Sequence, residues 1–345
     1  PTRTGYTFKE WNTNASGTGT AYTSGTITIS KNTTLYAIWE GVEPTGSLTI
    51  TNNTLTKGTQ VAITGASEVG ITKIELLIGS VTAYTETVTG TSYSKTIDIN
   101  NLSNLKNLTF NSSYTAKLNV TASTGKVKTI SVTGIKNYTV GSANSLNALV
   151  NGGTSFSGIT ILQVDNITLT SNHTAIGTES KAFKGIYIGQ NKTISNIKIS
   201  NSSTCQGLFG YTDGATIQDI VIGTGSISAG NKVGGLVGYA KNSTINNIKN
   251  TGTTVTSSTY YTETGNCADF NDGNGTTISA WSHTTSATGG ICGKTENTQV
   301  SNCINEATVT SSNSSGRMVA GIVGYAVSTN EKTISSCTNN AIIEN

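Results

Sequence analysis

The reading of this chain turns on one phrase that occurs four times. The copies are Gly207-Leu208-Phe209-Gly210-Tyr211, Gly235-Leu236-Val237-Gly238-Tyr239, Gly290-Ile291-Cys292-Gly293-Lys294 and Gly321-Ile322-Val323-Gly324-Tyr325. Each is followed by a few polar residues and a second short apolar strand. A unit this small cannot bury its own apolar face, so successive copies must stack. The C-terminal half is therefore expected to be a solenoid of short parallel strands, a parallel β-helix, with all-β modules ahead of it.

Working outward, five apolar segments align beside the phrase: Ile194–Ile199, Ile217–Ile222, Ile245–Asn250, Val300–Asn305 and Ile334–Asn339. In this alignment the first column is Ile or Val, the fourth runs Ile197, Ile220, Ile248, Cys303, Cys337, and the last runs Ile199, Ile222, Asn250, Asn305, Asn339. Equivalent residues of stacked rungs lie about 4.8 Å apart, so like packs on like. An inward Asn column can hydrogen-bond along itself. The phrase glycines are expected to mark tight turns. Gly210 and Gly238 are 28 residues apart, Gly238 and Gly293 are 55, and Gly293 and Gly324 are 31. The long interval holds an insertion, about 256–288, expected to leave the helix as a loop. Cys292 and Lys294 break the phrase in the copy after it, and that rung is expected to be irregular. Residues 144–153 read as an entry helix or cap.

The composition agrees with strands. Apolar residues make up 34% of the 345, and the 39 glycines bring the total close to the usual 45–50% or so. Charged residues are only 11%, displaced by Thr, Ser and Asn, which suit pleated strands and their turns. A formal net charge of +3 with no run of Lys or Arg longer than a pair lacks the footprint of a nucleic-acid binder. No apolar run approaches the roughly 20 residues of a membrane span. The chain opens at Pro1 without the regions of a signal peptide, and both ends read as cut from a longer protein.

Before the repeats, residues 41–140 carry seven short alternating strands between Gly/Asn/Ser turns: Ser47–Thr51, Val61–Thr64, Lys73–Ile78, Ala83–Val88, Ser94–Ile99, Tyr114–Val120 and Val127–Val132. Count and period read as an immunoglobulin-like β-sandwich. Bacterial surface proteins use such sandwiches as spacers, and some form a Lys–Asn cross-link beside an acid. The sequence singles out no lysine for that role. Residues 1–40 carry Gly5-Tyr6-Thr7-Phe8-Lys9-Glu10-Trp11 and Leu35-Tyr36-Ala37-Ile38-Trp39, a small β module with an expected core of Tyr6, Phe8, Trp11, Tyr36 and Trp39.

Two of these patterns resemble known families. The G-Y-x-F-x-x-W…L-Y-A-x-W pattern of residues 1–40 resembles the second half of a Listeria–Bacteroides repeat, the β-grasp-like module of internalin-type surface proteins. The Gly-Gly-Leu-Val-Gly-Tyr phrase, with upstream Phe183-Lys184-Gly185 and Gly189-Gln190-Asn191-Lys192-Thr193-Ile194, resembles the GLUG repeat over residues 144–345. That resemblance implies a right-handed, pectate-lyase-type β-helix, non-catalytic, in large bacterial surface proteins that include carriers of IgA-specific metallopeptidase domains.

Candidate chemistry is sparse. His173 and His283 are the only histidines, no H-E-x-x-H is present, and the carboxylates of the C-terminal half share no repeated column. Asp213 reads as a turn residue and Asp219 as an outward strand residue. Asp269, Asn271 and Asp272 form the one acidic, oxygen-rich stretch, a weak calcium candidate that lacks the glycine and glutamate of a calcium loop. The insertion also gathers Tyr260, Tyr261, Phe270 and Trp281. These are candidates for a ligand-binding loop, with packing of the loop against the flank of the helix as the rival. Five cysteines at irregular spacing are not a disulfide framework. Cys303 and Cys337 share a column and are expected as stacked thiols, a disulfide being the alternative.

These features together lead to the expectation of a non-catalytic fragment of a bacterial cell-surface protein, extracellular and anchored outside this stretch. It would serve as stalk or adhesion scaffold towards a host or neighbouring-cell glycan or protein, without cofactor, nucleic acid or membrane insertion. The alternatives are a carbohydrate-binding β-helix and an accessory domain of a surface peptidase.

Overall fold

In a computed structural model, the chain divides into two compact units, Pro1–Asn104 with Ser113–Lys136, and Leu105–Ser112 with Asn137–Asn345. The structure describes all residues except 24, 26, 27, 29, 30, 152–155, 272–276, 313–316, 330 and 345, and the backbone alone at 151, 263–271 and 277–284.

The first unit opens with three antiparallel strands, Tyr6–Asn12 flanked by Ala21–Tyr22 and Tyr36–Gly41. A bulge between Phe8 and Glu10 lets Phe8 meet Trp11, ring centroids 5.5 Å apart, and Trp39 at 5.7 Å. The expected five-membered aromatic core is thus smaller. Tyr36 is exposed, and Tyr6 lies under the Arg3 guanidinium at 3.9 Å. Among the described residues of this module, the fully enclosed side chain is the polar Asn12. Asn12 donates to Glu10 and accepts from the backbone N–H groups of Asn14 and Gly19, each at 2.9 Å, which fixes the Thr13–Thr20 connection.

The rest of this unit is two antiparallel sheets. Thr45–Ile50, Gln60–Ala66 and Ser92–Asp98 form one. Val127–Asn137, Ser113–Ala122, Ile71–Ile78 and Val81–Thr87 form the other, with short Thr54–Leu55 on its edge. Each of the seven expected strands is present, in the order first–second–fifth against seventh–sixth–third–fourth. Period-two alternation turns Val61 and Ile63 of one sheet and Ile74, Leu76, Leu118 and Val120 of the other into a shared interior, all buried. On one side the sheet edges are tied by Glu86, which accepts from Tyr84, Tyr93 and Lys95.

The second unit is the solenoid. Its interior is one continuous cluster running from Phe110 and Leu146 to Val309. The helix Ala143–Asn151 places Leu146 and Leu149, three apart, on the buried face. Phe110, Phe156, Phe183 and Phe209 then continue ring to ring at 5.7, 5.9 and 4.9 Å. Phe110 comes from Leu105–Ser112, which lies between two sandwich strands in sequence yet belongs to this unit.

Parallel ladders define the rungs. Tyr187, Ile217, Ile245, Val300 and Ile334 pair in succession, and so do Ile194, Ile222, Asn250, Asn305 and Asn339. This corrects the alignment of the first segment. Ile194 opposes Ile222 rather than Ile217, and Ile197–Ser200 pairs with 225–228 further along the rung. Gly189, Gln190 and Asn191 bulge opposite the single residue Asp219 and displace the Ile-x-x-Ile-x-Ile pattern.

The phrase strands Phe209–Asp213, Val237–Lys241, Cys292–Glu296 and Val323–Val327 form a separate four-stranded parallel sheet. The copy with Cys292 and Lys294 keeps full register with its neighbours on both sides, so the expected irregularity is absent. Cys292 simply takes an inward Val position and is buried.

The insertion is not a loop. Tyr261–Asn271 and Thr277–Gly289 form an antiparallel hairpin, and Thr288–Gly289 rejoin the stack beside Val233–Gly234.

Candidate functional site

The phrase glycines are sites of close approach, not of turning. None of the eight has a positive φ. A Cβ on Gly290 would meet the Asn305 amide, one on Gly321 the Asn339 amide, and one on Gly235 the Asn250 amide nitrogen at 3.0 Å. The second glycines press on the backbone of the neighbouring turn; for Gly210 this is the Gly177 carbonyl, at 2.5 Å from a would-be Cβ. The Asn column is what the first glycines admit. Asn250 donates to Thr253 O at 2.9 Å and Gly290 O at 3.1 Å and accepts from Thr253 N. Asn305 donates to Ala307 O and to the Asn339 side chain, at 2.9 and 2.8 Å. The corners themselves are left-handed residues in two columns: Asn191, Asp219, Asn247, Asn302 and Ser336 in one, Gly214, Asn242 and Asn297 in another. Asn and Asp tolerate that region better than other non-glycine residues.

On the outward side of the phrase sheet the fifth position forms a stripe, with Tyr211, Tyr239, Lys294 and Tyr325 in register. Tyr211 and Tyr239 meet edge to face at 5.0 Å. The Lys294 ammonium lies 4.9 Å from the Tyr239 ring, 5.6 Å from Tyr325 and 5.8 Å from Tyr261 of the hairpin. Lys232 reaches Tyr261 at 4.6 Å and Tyr239 at 5.3 Å. A cation over ring faces is held by the ring quadrupole, which explains why Lys fits a tyrosine column. Two positions further, Lys241 pairs with Glu296 at 2.8 Å, and Tyr239 hydroxyl donates to the same carboxylate. Burial opposes the charge on Glu296, but Lys241 and Tyr239 together hold its pKa below the usual range.

The expected ligand-loop residues separate. Tyr261 packs between Lys232 and Lys294 against the flank of the solenoid, whereas Tyr260 is 57% exposed. Phe270 pairs with Ile278 and Trp281 with Gly265 along the hairpin backbone; their side chains, with those of Asp269, Asn271 and His283, lie outside the described residues, as does Asp272 altogether. Among the described residues no three His, Cys, Asp or Glu side chains converge as a metal site.

Other groups with chemical potential have structural partners. His173 is buried with Nε2 2.9 Å from the Leu208 carbonyl, and burial keeps its pKa down. Asp213 ends a phrase strand rather than lying in the turn. Asn242 donates to it at 2.9 Å, and with Lys184 at 3.4 Å holds its pKa low. Asp219 is a corner residue. Among the described residues, lysine–carboxylate–asparagine groupings include Lys73–Glu75–Asn119 and Lys184–Asp213–Asn242. Both lysines are solvated, with side chains 48% and 43% exposed. Cys205, Cys292 and Cys303 are buried thiols.

The tyrosine–lysine stripe was not found in the sequence. Its signal, a Tyr or Lys immediately after each second phrase glycine, was present but read as part of the structural period.

Residues 1–38 match the family model of the Listeria–Bacteroides repeat domain. That repeat is found in surface proteins. No curated protein matches the chain significantly.

Proposed function

We propose that the chain is a non-catalytic stalk and display segment of a bacterial cell-surface protein. The observation that carries this reading is the Listeria–Bacteroides repeat at residues 1–38, ahead of a two-sheet module and a stacked parallel solenoid. The strand order of the two sheets favours an immunoglobulin-like spacer, and the Gly-x-x-Gly stack favours a GLUG-type β-helix. A long, continuous interior suits a stiff scaffold, because each rung is held by both neighbours. No helix among the described residues is long and apolar enough to cross a membrane. Antibodies against the chain, applied to intact cells that express it natively, are expected to label them without permeabilisation. Labelling only after permeabilisation would overturn the reading.

A second reading, glycan binding, is favoured by one observation: exposed Tyr260 directly precedes Tyr261, which Lys294 links to the Tyr239 and Tyr325 rings of the stripe. A glycan array with the whole chain and its Tyr260→Ala variant tests it, binding lost in the variant being the expected result. Binding that is absent, or unchanged by the variant, removes it.

A further inference from the structure

The last two rungs bring two thiols into register. Ile304 pairs with Thr338 and Asn305 with Asn339, and Thr338 N donates to Cys303 O at 2.8 Å, so Cys303 and Cys337 are direct neighbours across a parallel ladder. Neighbouring strands place their Cα atoms about 4.8 Å apart, inside the roughly 4.4–6.8 Å span of disulfides. The two sulfurs lean the same way. Cys303 Sγ lies 3.2 Å from Ser301 O and Cys337 Sγ 3.2 Å from Ser335 O. Their environments differ. Cys303 is fully enclosed, whereas Cys337 is partly open to solvent.

From this arrangement we propose that Cys303 and Cys337 form a rung-to-rung disulfide by exchange with a low-molecular-weight disulfide. The Cys337 thiolate attacks the reagent RSSR, forming a mixed disulfide and expelling RS⁻. The Cys303 thiolate then attacks the Cys337 sulfur and expels the second RS⁻. Two protein thiols are oxidised and one RSSR is reduced to two RSH, the two thiol protons passing to solvent and the leaving groups.

Parallel neighbours hold their Cβ atoms farther apart than the roughly 3.5–4.5 Å of a relaxed disulfide, so closure requires one rung to yield slightly. The rung that carries Cys337 can yield. Its ladders at Ile334–Ser335, Thr338–Asn339 and Ile343–Glu344 are two residues each. Burial and the neighbouring thiol push the Cys303 pKa up to about 12, which makes the second step slow near neutral pH and faster in alkali. The third nearby thiol, Cys292, is sealed inside the opposite sheet, and its burial also suppresses the thiolate.

The folded chain is incubated with oxidised glutathione at pH 8.5, free thiols are then alkylated, and peptides are mapped by mass spectrometry. The expected product has lost two hydrogens and contains a Cys303–Cys337 cross-linked peptide. Cys292→Ser should still form it, and Cys337→Ser should not. A glutathione adduct that persists on Cys337 without cross-linking would overturn the proposal, as would a cross-link involving Cys292 instead.

Discussion

At the residue scale, glycine and asparagine act as a matched pair. Gly290 lies against Asn305 and Gly321 against Asn339, so a methyl group at the glycine falls on the amide. Gly290→Ala is expected to destabilise the solenoid by about 2–3 kcal/mol, an overpacking cost in a site with no room to relax, read as a lower urea midpoint. Asn250→Leu removes a buried amide that serves Thr253 and Gly290. It leaves those backbone groups unpaired, at about 2 kcal/mol by the same measurement. Both columns were visible in the sequence; their contact was not, because the partners are 15 to 18 residues apart and meet only when the rung closes. The phrase glycines therefore looked like turn residues, while the turning is done by left-handed Asn, Asp and Gly at the corners.

At the element scale, the hairpin is a separate appendage on a regular stack. The rung preceding it stays in register through Ser257 opposite Ala229, and the returning strand resumes register at Thr288 opposite Val233. Replacing residues 265–281 by a short Gly-Asn turn is therefore expected to leave the thermal midpoint of the solenoid within about 4 °C, followed by circular dichroism. A large fall would mean that the hairpin is part of the core. The insertion's place was legible from the 55-residue interval, its strand content was not, since antiparallel pairing through Gly265, Asn266 and the bulge beyond leaves no clean alternation. The misaligned segment Ile194–Ile199 has a similar origin. A pattern of apolar residues records which face is buried but not the register, and a bulge at Gly189–Asn191 shifts register without altering the pattern.

For the whole molecule, two units with their own interiors need not melt together. Calorimetry is expected to resolve more than one transition, and Gly290→Ala should move only the one belonging to the solenoid. The pH response also divides. In the first unit Tyr84, Tyr93 and Lys95 hold Glu86 down to about 2 from an ordinary 4.5. A depressed carboxyl contributes stability that is complete above its unfolded pKa and is lost as pH falls through the folded one, so this contribution fades between pH 4.5 and about 2. In the second unit burial lowers the His173 pKa from 6.5. Its neutral form is the one the fold accepts, so the solenoid loses stability as pH falls below 6.5, and His173→Gln should flatten that window in urea titrations at stepped pH.

Sequence alone determined the all-β character, the seven sandwich strands, the N-terminal repeat module and the stacked solenoid. Each of these follows from local period and composition, in which every residue reports its own exposure. Tertiary structure alone decided the register of the first rung, the meeting of Gly with Asn, the tyrosine–lysine stripe that clamps the hairpin, and the thiol contact at the last rung. These depend on which residues of different turns come within a few ångströms, a relation fixed by corner geometry and bulges. The fourfold phrase is in that sense a rule for stacking, and what each copy touches is set by the turn above and the turn below.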